Sequence, residues 1–268
     1  MKEDVLEQDP GRATLWLFDF DGTISEFVSR SAEAEIHPAC RDLLRDLAAL
    51  YPQRVAILSS RSLDDLIARV DIPGLFLGGG SGMEWRRPAG ERFLADPNQA
   101  ARLRAGRQAI LPNLRILEQI PGIELEDKQW SVAVHVLRAP HVSRNLAEKY
   151  LCRLRDRRIL RFFKGREVFE IPFLPGMSKA VGVKRISEIL HSNHGGNGIV
   201  YAGDDENDAT AMEWVLRQGG MAFTVGKKAI IEAARHVPNP ETLAAEIRRL
   251  FKINGNHERS CAGARPGG

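Results

Sequence analysis

Three short apolar runs stop abruptly at small polar residues. Leu15-Trp16-Leu17-Phe18 ends at Asp19-Phe20-Asp21-Gly22-Thr23, Val55-Ala56-Ile57-Leu58 at Ser59-Ser60-Arg61, and Gly198-Ile199-Val200-Tyr201-Ala202 at Gly203-Asp204-Asp205. Runs of four or five apolar residues closed by turn formers predict strands buried on both faces. After Pro38, Leu43, Leu44, Leu47 and Leu50 recur at three- and four-residue steps, the stripe of an amphipathic helix. Ser62-Leu63-Asp64-Asp65 reads as a capped helix start, and another helix begins near Ser178. Strands alternating with helices predict a parallel sheet joined by crossover helices.

The middle of the chain has a different rhythm. An arginine-rich helical stretch at 100–117 precedes a strand-like segment at 130–136, a second basic helix at 146–156 and the strand Val168-Phe169-Glu170-Ile171. Helix, strand, helix, strand without fully apolar runs predicts a smaller α+β module with one face of its sheet covered. The expected fold is therefore an α/β, doubly wound, Rossmann-like parallel-sheet core interrupted by an inserted module. The Gly- and Arg-rich tail at 254–268 is expected to be mobile.

Composition narrows the partners. The chain has 268 residues, and 38 Lys+Arg against 35 Asp+Glu leave a net charge of +3, which gives no reason to expect nucleic acid. No apolar run approaches the roughly 20 residues that span a bilayer, and the first dozen residues lack a signal-peptide core. Cys40, Cys152 and Cys261 are scattered without metal-ligand spacing. The expectation is a cytoplasmic globular protein with no membrane partner.

Ligands of open parallel sheets sit outside the carboxyl ends of the strands. Neighbouring strands would bring Asp19, Asp21, Ser59, Asp204 and Asp205 into one crevice. Several carboxylates in one pocket repel one another unless a cation joins them, and oxygen donors without His or Cys favour Mg²⁺. Ser59 and Lys179 suit an oxyanion such as phosphate. A divalent metal beside a phosphate site describes phosphoryl transfer.

These residues carry a resemblance. Asp19-Phe20-Asp21-Gly22-Thr23 resembles motif I of the haloacid dehalogenase superfamily, and Ser59, Lys179 and Gly203-Asp204-Asp205-Glu206-Asn207-Asp208 stand where motifs II to IV would be. The gap of about 120 residues between Ser59 and Lys179 is similar to an insertion of the C2 cap type. Ser59-Ser60-Arg61, Gly80-Ser81-Gly82-Met83-Glu84, Lys128-x-x-Ser131-x-x-x-His135, Gly165-Arg166-Glu167-Val168-Phe169-Glu170-Ile171 and Ser178-Lys179-Ala180 resemble elements of trehalose-6-phosphate phosphatases. Ser60, Ser81, Arg166 and Ser178 depart from that pattern, and Val136-Leu137 replace its Tyr-Arg.

The resemblance implies a hydrolase core at 1–86 and 174–253 and a cap at 87–173. It implies a Mg²⁺-dependent phosphatase of a sugar phosphate, with trehalose 6-phosphate as the leading substrate, acting through an aspartyl-phosphate. Asp19 would be the nucleophile and Asp21 the general acid and base. Asp19, the Asp21 backbone carbonyl and Asp204 would hold the metal, with Asp205 or Asp208 supporting. Ser59, Ser60 and Lys179 would bind phosphate, and the cap residues Lys128, His135 and Glu170 the sugar. Gly22, Arg61 and Glu84 complete the motifs. A functional link to a sugar-phosphate synthase also follows.

Plainer alternatives stand beside these. Asp208 could cap the following helix, His135 could be a structural residue on its strand, and Glu170 could point to solvent. Other C2-capped activities (glycosyl-phosphoglycerate or sucrose-phosphate phosphatase) and a non-catalytic phosphosugar-binding module are the competing functions.

Overall fold

A computed structural model describes residues 14–28, 33–96, 98–194 and 198–253; the tail expected to be mobile at 254–268 lies outside them. The larger sheet has eight strands in the order β12 (Arg235–Val237), β11 (Met221–Val225), β10 (Gly198–Gly203), β1 (Thr14–Phe18), β2 (Val55–Leu58), β3 (Phe76–Gly79), β4 (Glu84–Arg86) and β5 (Arg92–Leu94). The strands from β12 to β3 are parallel; β4 and β5 add an antiparallel edge. The three apolar runs occupy the adjacent strands β10, β1 and β2, which is the neighbourhood the crevice requires.

Alternation along β1 builds two core layers. Trp16 and Phe18 pack on one face with α1 (Pro38–Leu50), α2 (Leu63–Arg69) and α7 (Pro240–Phe251). Leu15 and Leu17 pack on the other with α5 (Lys179–His194) and α6 (Glu206–Arg217). Each such side chain, fully buried, contributes about 1.5–3 kcal/mol. As read from the sequence, Ser62 caps α2, its hydroxyl accepting from the Asp65 amide at 3.2 Å.

The inserted module holds a four-stranded antiparallel sheet in the order β6 (Glu124–Asp127), β7 (Ser131–His135), β9 (Val168–Pro172) and β8 (Phe163–Gly165). Val132, Val134, Phe169 and Ile171 pack beneath α3 (Gln99–Leu114) and α4 (His141–Asp156). The side chains between them belong to the opposite face, where Ala133 lies across from Glu126 and Glu170 and His135 across from Glu124 and Val168. Period-two patterning thus leaves the module one polar face.

Two expectations are corrected. The expected core segment ends at residue 86, but β5 pairs with β4 and extends the large sheet to Leu94. This edge strand is only three residues long and partly exposed, so no apolar run announces it. The expected helix at 100–117 ends as an α-helix at Leu114, two residues past Pro112, and continues to Gln119 as a tighter 3₁₀ turn. Among the described residues no helix is long and apolar enough to cross a membrane.

Candidate active site

Asp19 follows the last residue of β1, Lys179 opens α5, and Asp204 and Asp205 link β10 to α6. The side chains of Asp19 and Lys179 are almost wholly buried, and the lysine Nζ donates to Asp19 Oδ1 at 2.5 Å. The same ammonium donates to Asp208 Oδ1 at 2.7 Å. Thr23 donates its hydroxyl to Asp19 Oδ2 at 3.1 Å. Burial foremost, then the Asp208 charge, pushes the Asp19 carboxyl well above its usual range, with Lys179 opposing. Burial alone would lower the lysine, but Asp19 and Asp208 outweigh it and hold its pKa well above the usual value. Lys179 stays a cation.

Asp208 is engaged on both of its oxygens. Its Oδ1 also accepts from the Tyr201 hydroxyl at 2.5 Å, while Oδ2 accepts the Asp204 and Asp205 amides at 3.1 and 3.2 Å. A carboxylate has about four lone-pair sites, and here four donors use them. Asp208 therefore anchors Lys179 and closes the α6 capping box with Asp205. Burial and Asp208 also raise the Tyr201 phenol, which remains a donor. Burial, followed by Asp208, lifts the Asp205 carboxyl to about 7.

Carboxylate oxygens of Asp19, Asp204 and Asp208 lie within 4.8 Å of one another. The donors are hard oxygens, as Mg²⁺ prefers. Together they could hold an ion, and of the three Asp208 already accepts four hydrogen bonds from the protein. Gly22 makes room for the grouping. It has φ +76°, and a Cβ there would overlap the Asp204 carboxylate.

Ser59 is buried at the end of β2, its amide bonded to the Gly78 carbonyl and its hydroxyl accepting the Arg61 amide at 3.2 Å. Ser60 lines the cavity instead. Asn207 ties the start of α5 to the β3–β4 turn: its Oδ1 accepts the Lys179 amide at 2.9 Å and its Nδ2 donates to Ser81 at 3.2 Å. Arg61 clasps Asp21, with Nε to Oδ2 at 2.7 Å and Nη2 to Oδ1 at 2.6 Å.

Above the strand ends lies a cavity of about 480 Å³, walled by the core on one side and the polar face of the inserted sheet on the other. The core contributes Asp21, Gly22, Ser60, Arg61, Asp204 and Asp205. Lys128, His135 and Glu170 all face it from the inserted module, so the structure brings the three predicted cap residues together. Glu170 does not point to solvent. It is buried, accepts from Lys128 Nζ at 3.1 Å and from the Ser131 hydroxyl. Burial would lower the Lys128 ammonium, but Glu170, Glu126 and Asp21 raise it. His135 pairs with Glu126 at 2.7 Å, and that bond foremost holds the Glu126 carboxyl below its usual range.

Glu84 is not part of this cavity; it accepts from Gln129 Nε2 at 3.0 Å, bracing core against insert. Sequence reading also does not single out Glu124, Glu126 and Glu167, which line the cavity from the inserted module. Their signal is the alternation of Glu124 and Glu126 around Leu125. Tyr201 reads in the sequence only as part of a buried strand.

A doubly wound sheet with an α+β cap inserted between its strands is the haloacid dehalogenase type of architecture. Within it, the chain belongs to the trehalose-phosphatase family, whose profile matches residues 17–241. The chain is 32% identical over 244 residues to the trehalose-phosphate phosphatase of Mycobacterium tuberculosis, covering 86% of this chain and 61% of that protein. It is 27% identical over 235 residues to trehalose-phosphate phosphatase B of Arabidopsis thaliana, covering 84% and 62% respectively. Among solved structures, the fold is similar to the C-terminal domain of C. albicans trehalose-6-phosphate phosphatase, with a TM-score of 0.75, 20% identity, and 91% and 93% of the two chains covered. The chain thus spans about three fifths of the length of these curated relatives.

Proposed function

We propose that this chain hydrolyses a sugar phosphate monoester, trehalose 6-phosphate foremost, to the free sugar and phosphate. The observation that carries the reading is the buried Asp19–Lys179 pair beside Asp204, beneath a cavity whose roof is lined by carboxylates, a histidine and a lysine. Asp19 attacks phosphorus and forms an aspartyl-phosphate, splitting one displacement into two. Asp21 gives a proton to the departing sugar oxygen and takes one from the water that hydrolyses the intermediate. Lys179 and Ser59 offset the charge on the transferring oxygens. Asp19, Asp204 and the Asp21 backbone carbonyl would hold Mg²⁺, with Asp205 or Asp208 in support, and the bound ion would supply charge compensation for the acidic cluster and the phosphoryl group. The cap excludes bulk water and offers Lys128, His135 and Glu170 to the hydroxyls. The work is cytoplasmic, and a sugar-phosphate synthase supplies the substrate.

The test is phosphate release across a panel of trehalose, sucrose, glucosyl-glycerate and simple hexose phosphates. A preference for trehalose 6-phosphate is expected; equal rates on every ester would remove it as the substrate. Chelation should cut turnover at least about a hundredfold, restored by Mg²⁺. Full activity in excess EDTA would eliminate the ion.

Glu170→Ala tests the roof. It should lower kcat/KM on the sugar phosphate roughly 10- to 150-fold, the ~1.5–3 kcal/mol of a hydrogen bond to a charged group. The loss on p-nitrophenyl phosphate, which has no sugar hydroxyls, should be several times smaller. Equal losses with a lower melting temperature would make Glu170 a structural partner of Lys128 alone.

A further inference from the structure

Asp21 does not project freely into the cavity. The Arg61 guanidinium engages both of its carboxylate oxygens, at 2.6 and 2.7 Å. A planar fork on two oxygens fixes the rotation of a carboxylate as well as its position. Arg61 is itself locked from the other side. Its Nη1 donates to Asp65 Oδ2 at 2.5 Å, and its guanidinium carbon lies 5.3 Å from the centroid of the Phe20 ring. Asp65 is held in turn by Arg69 on the next turn of α2, at 2.8 Å. The Arg61 side chain is 5% exposed and that of Asp21 46%. Of the two partners, the carboxylate is the one with room to move.

The geometry points to Arg61 as the positioning residue for Asp21: it keeps the carboxylate at the cavity wall, so that one oxygen reaches the leaving group by releasing a single hydrogen bond while the other stays held. This rests on the phosphatase reading above. In the first step the Asp21 oxygen freed from Arg61 takes up a proton from solvent, the Asp19–phosphorus bond forms, the bond from phosphorus to the sugar oxygen breaks, and that proton goes to the sugar oxygen. In the second, water gives its proton to Asp21 and its oxygen to phosphorus as the Asp19–phosphorus bond breaks. Ester and water become alcohol and phosphate, and Asp21 returns a proton to solvent, ending as the carboxylate it began. Without Arg61 the same carboxylate remains, but its orientation is spread over many rotations, and alignment within about an ångström decides such transfers.

The experiment uses the full chain with Mg²⁺, and the variants Arg61→Met and Arg61→Lys. The leaving group of trehalose 6-phosphate is a sugar alkoxide that needs a proton; p-nitrophenolate does not. Arg61→Met should lower kcat on the sugar phosphate about 10²–10³-fold, with KM within about threefold. The rapid burst of p-nitrophenolate, which reports aspartyl-phosphate formation alone, should lose at least about tenfold less. Arg61→Lys keeps the charge without the fork, so it should recover part of the kcat loss. Adding Arg61→Met to Asp21→Asn should cost little more than Asp21→Asn alone. Equal losses on burst and sugar phosphate, or losses that multiply in the double variant, would overturn the assignment and leave Arg61 a structural tie between β2 and the β1 loop. A parent chain that turns over neither ester would overturn the phosphatase reading itself, and the assignment with it.

Discussion

Asp19→Asn should remove at least about three decades of turnover while leaving the fold intact. An amide cannot attack phosphorus and cannot balance a metal charge, and removing a covalent nucleophile costs this much or more in comparable enzymes. The structure explains why the variant should fold. The new amide would keep its carbonyl oxygen as acceptor for Lys179, its NH2 could donate to the Thr23 hydroxyl, which turns from donor to acceptor, and Lys179 would keep Asp208 as a charged partner. The substitution also relieves crowding, because burial and the charges of Asp208, Asp205 and Asp21 all disfavour the ionised Asp19. The melting temperature of the metal-free variant should therefore equal or exceed that of the parent. Phosphate release within tenfold of the parent would refute Asp19 as the nucleophile; a collapsed melting temperature would show the loss to be structural.

The strand ends are the most legible part of this site because a buried parallel strand must be apolar until it leaves the sheet. Asp19, Ser59 and Asp204 each mark that exit, and the sheet order makes the three exits neighbours. Helix starts are nearly as clear where a cap residue announces them, as at Ser62. The hidden parts are those in which the partner is remote or the element is short and half exposed. Nothing local to Asp21 specifies a fork from Arg61, forty residues away. Strand β6 reads as polar sequence, since its apolar positions amount to Leu125 alone between Glu124 and Glu126. Asp208 is ambiguous for a different reason. It is both the N3 residue of a capping box and the buried anchor of Lys179 and Tyr201, and a sequence shows only the first role.

Lys179→Met separates electrostatics from packing at the centre of the site. Methionine nearly matches the lysine stem in length, so the apolar part of the site stays filled. What disappears is the ammonium between Asp19 and Asp208, both buried. Breaking a buried pair by removing one partner costs about 3–5 kcal/mol, because the remaining charge has lost its compensation. Here two carboxylates are stranded, although Asp208 retains Tyr201 and two backbone amides, which places the larger penalty on Asp19. The metal-free variant should accordingly melt well below the parent, and Mg²⁺ should recover part of the difference by charging the same corner of the site. Adding Asp19→Asn to Lys179→Met should also restore stability, since the stranded charge is then gone; this positive coupling identifies the pair. Turnover on trehalose 6-phosphate should fall at least about 10²–10³-fold even where Mg²⁺ restores the fold, the range for losing a preorganised charge at developing negative charge. Simple addition of the two stability changes in the double variant would mean that Lys179 and Asp19 do not act on each other, and the buried pair would lose its place as the centre of the site.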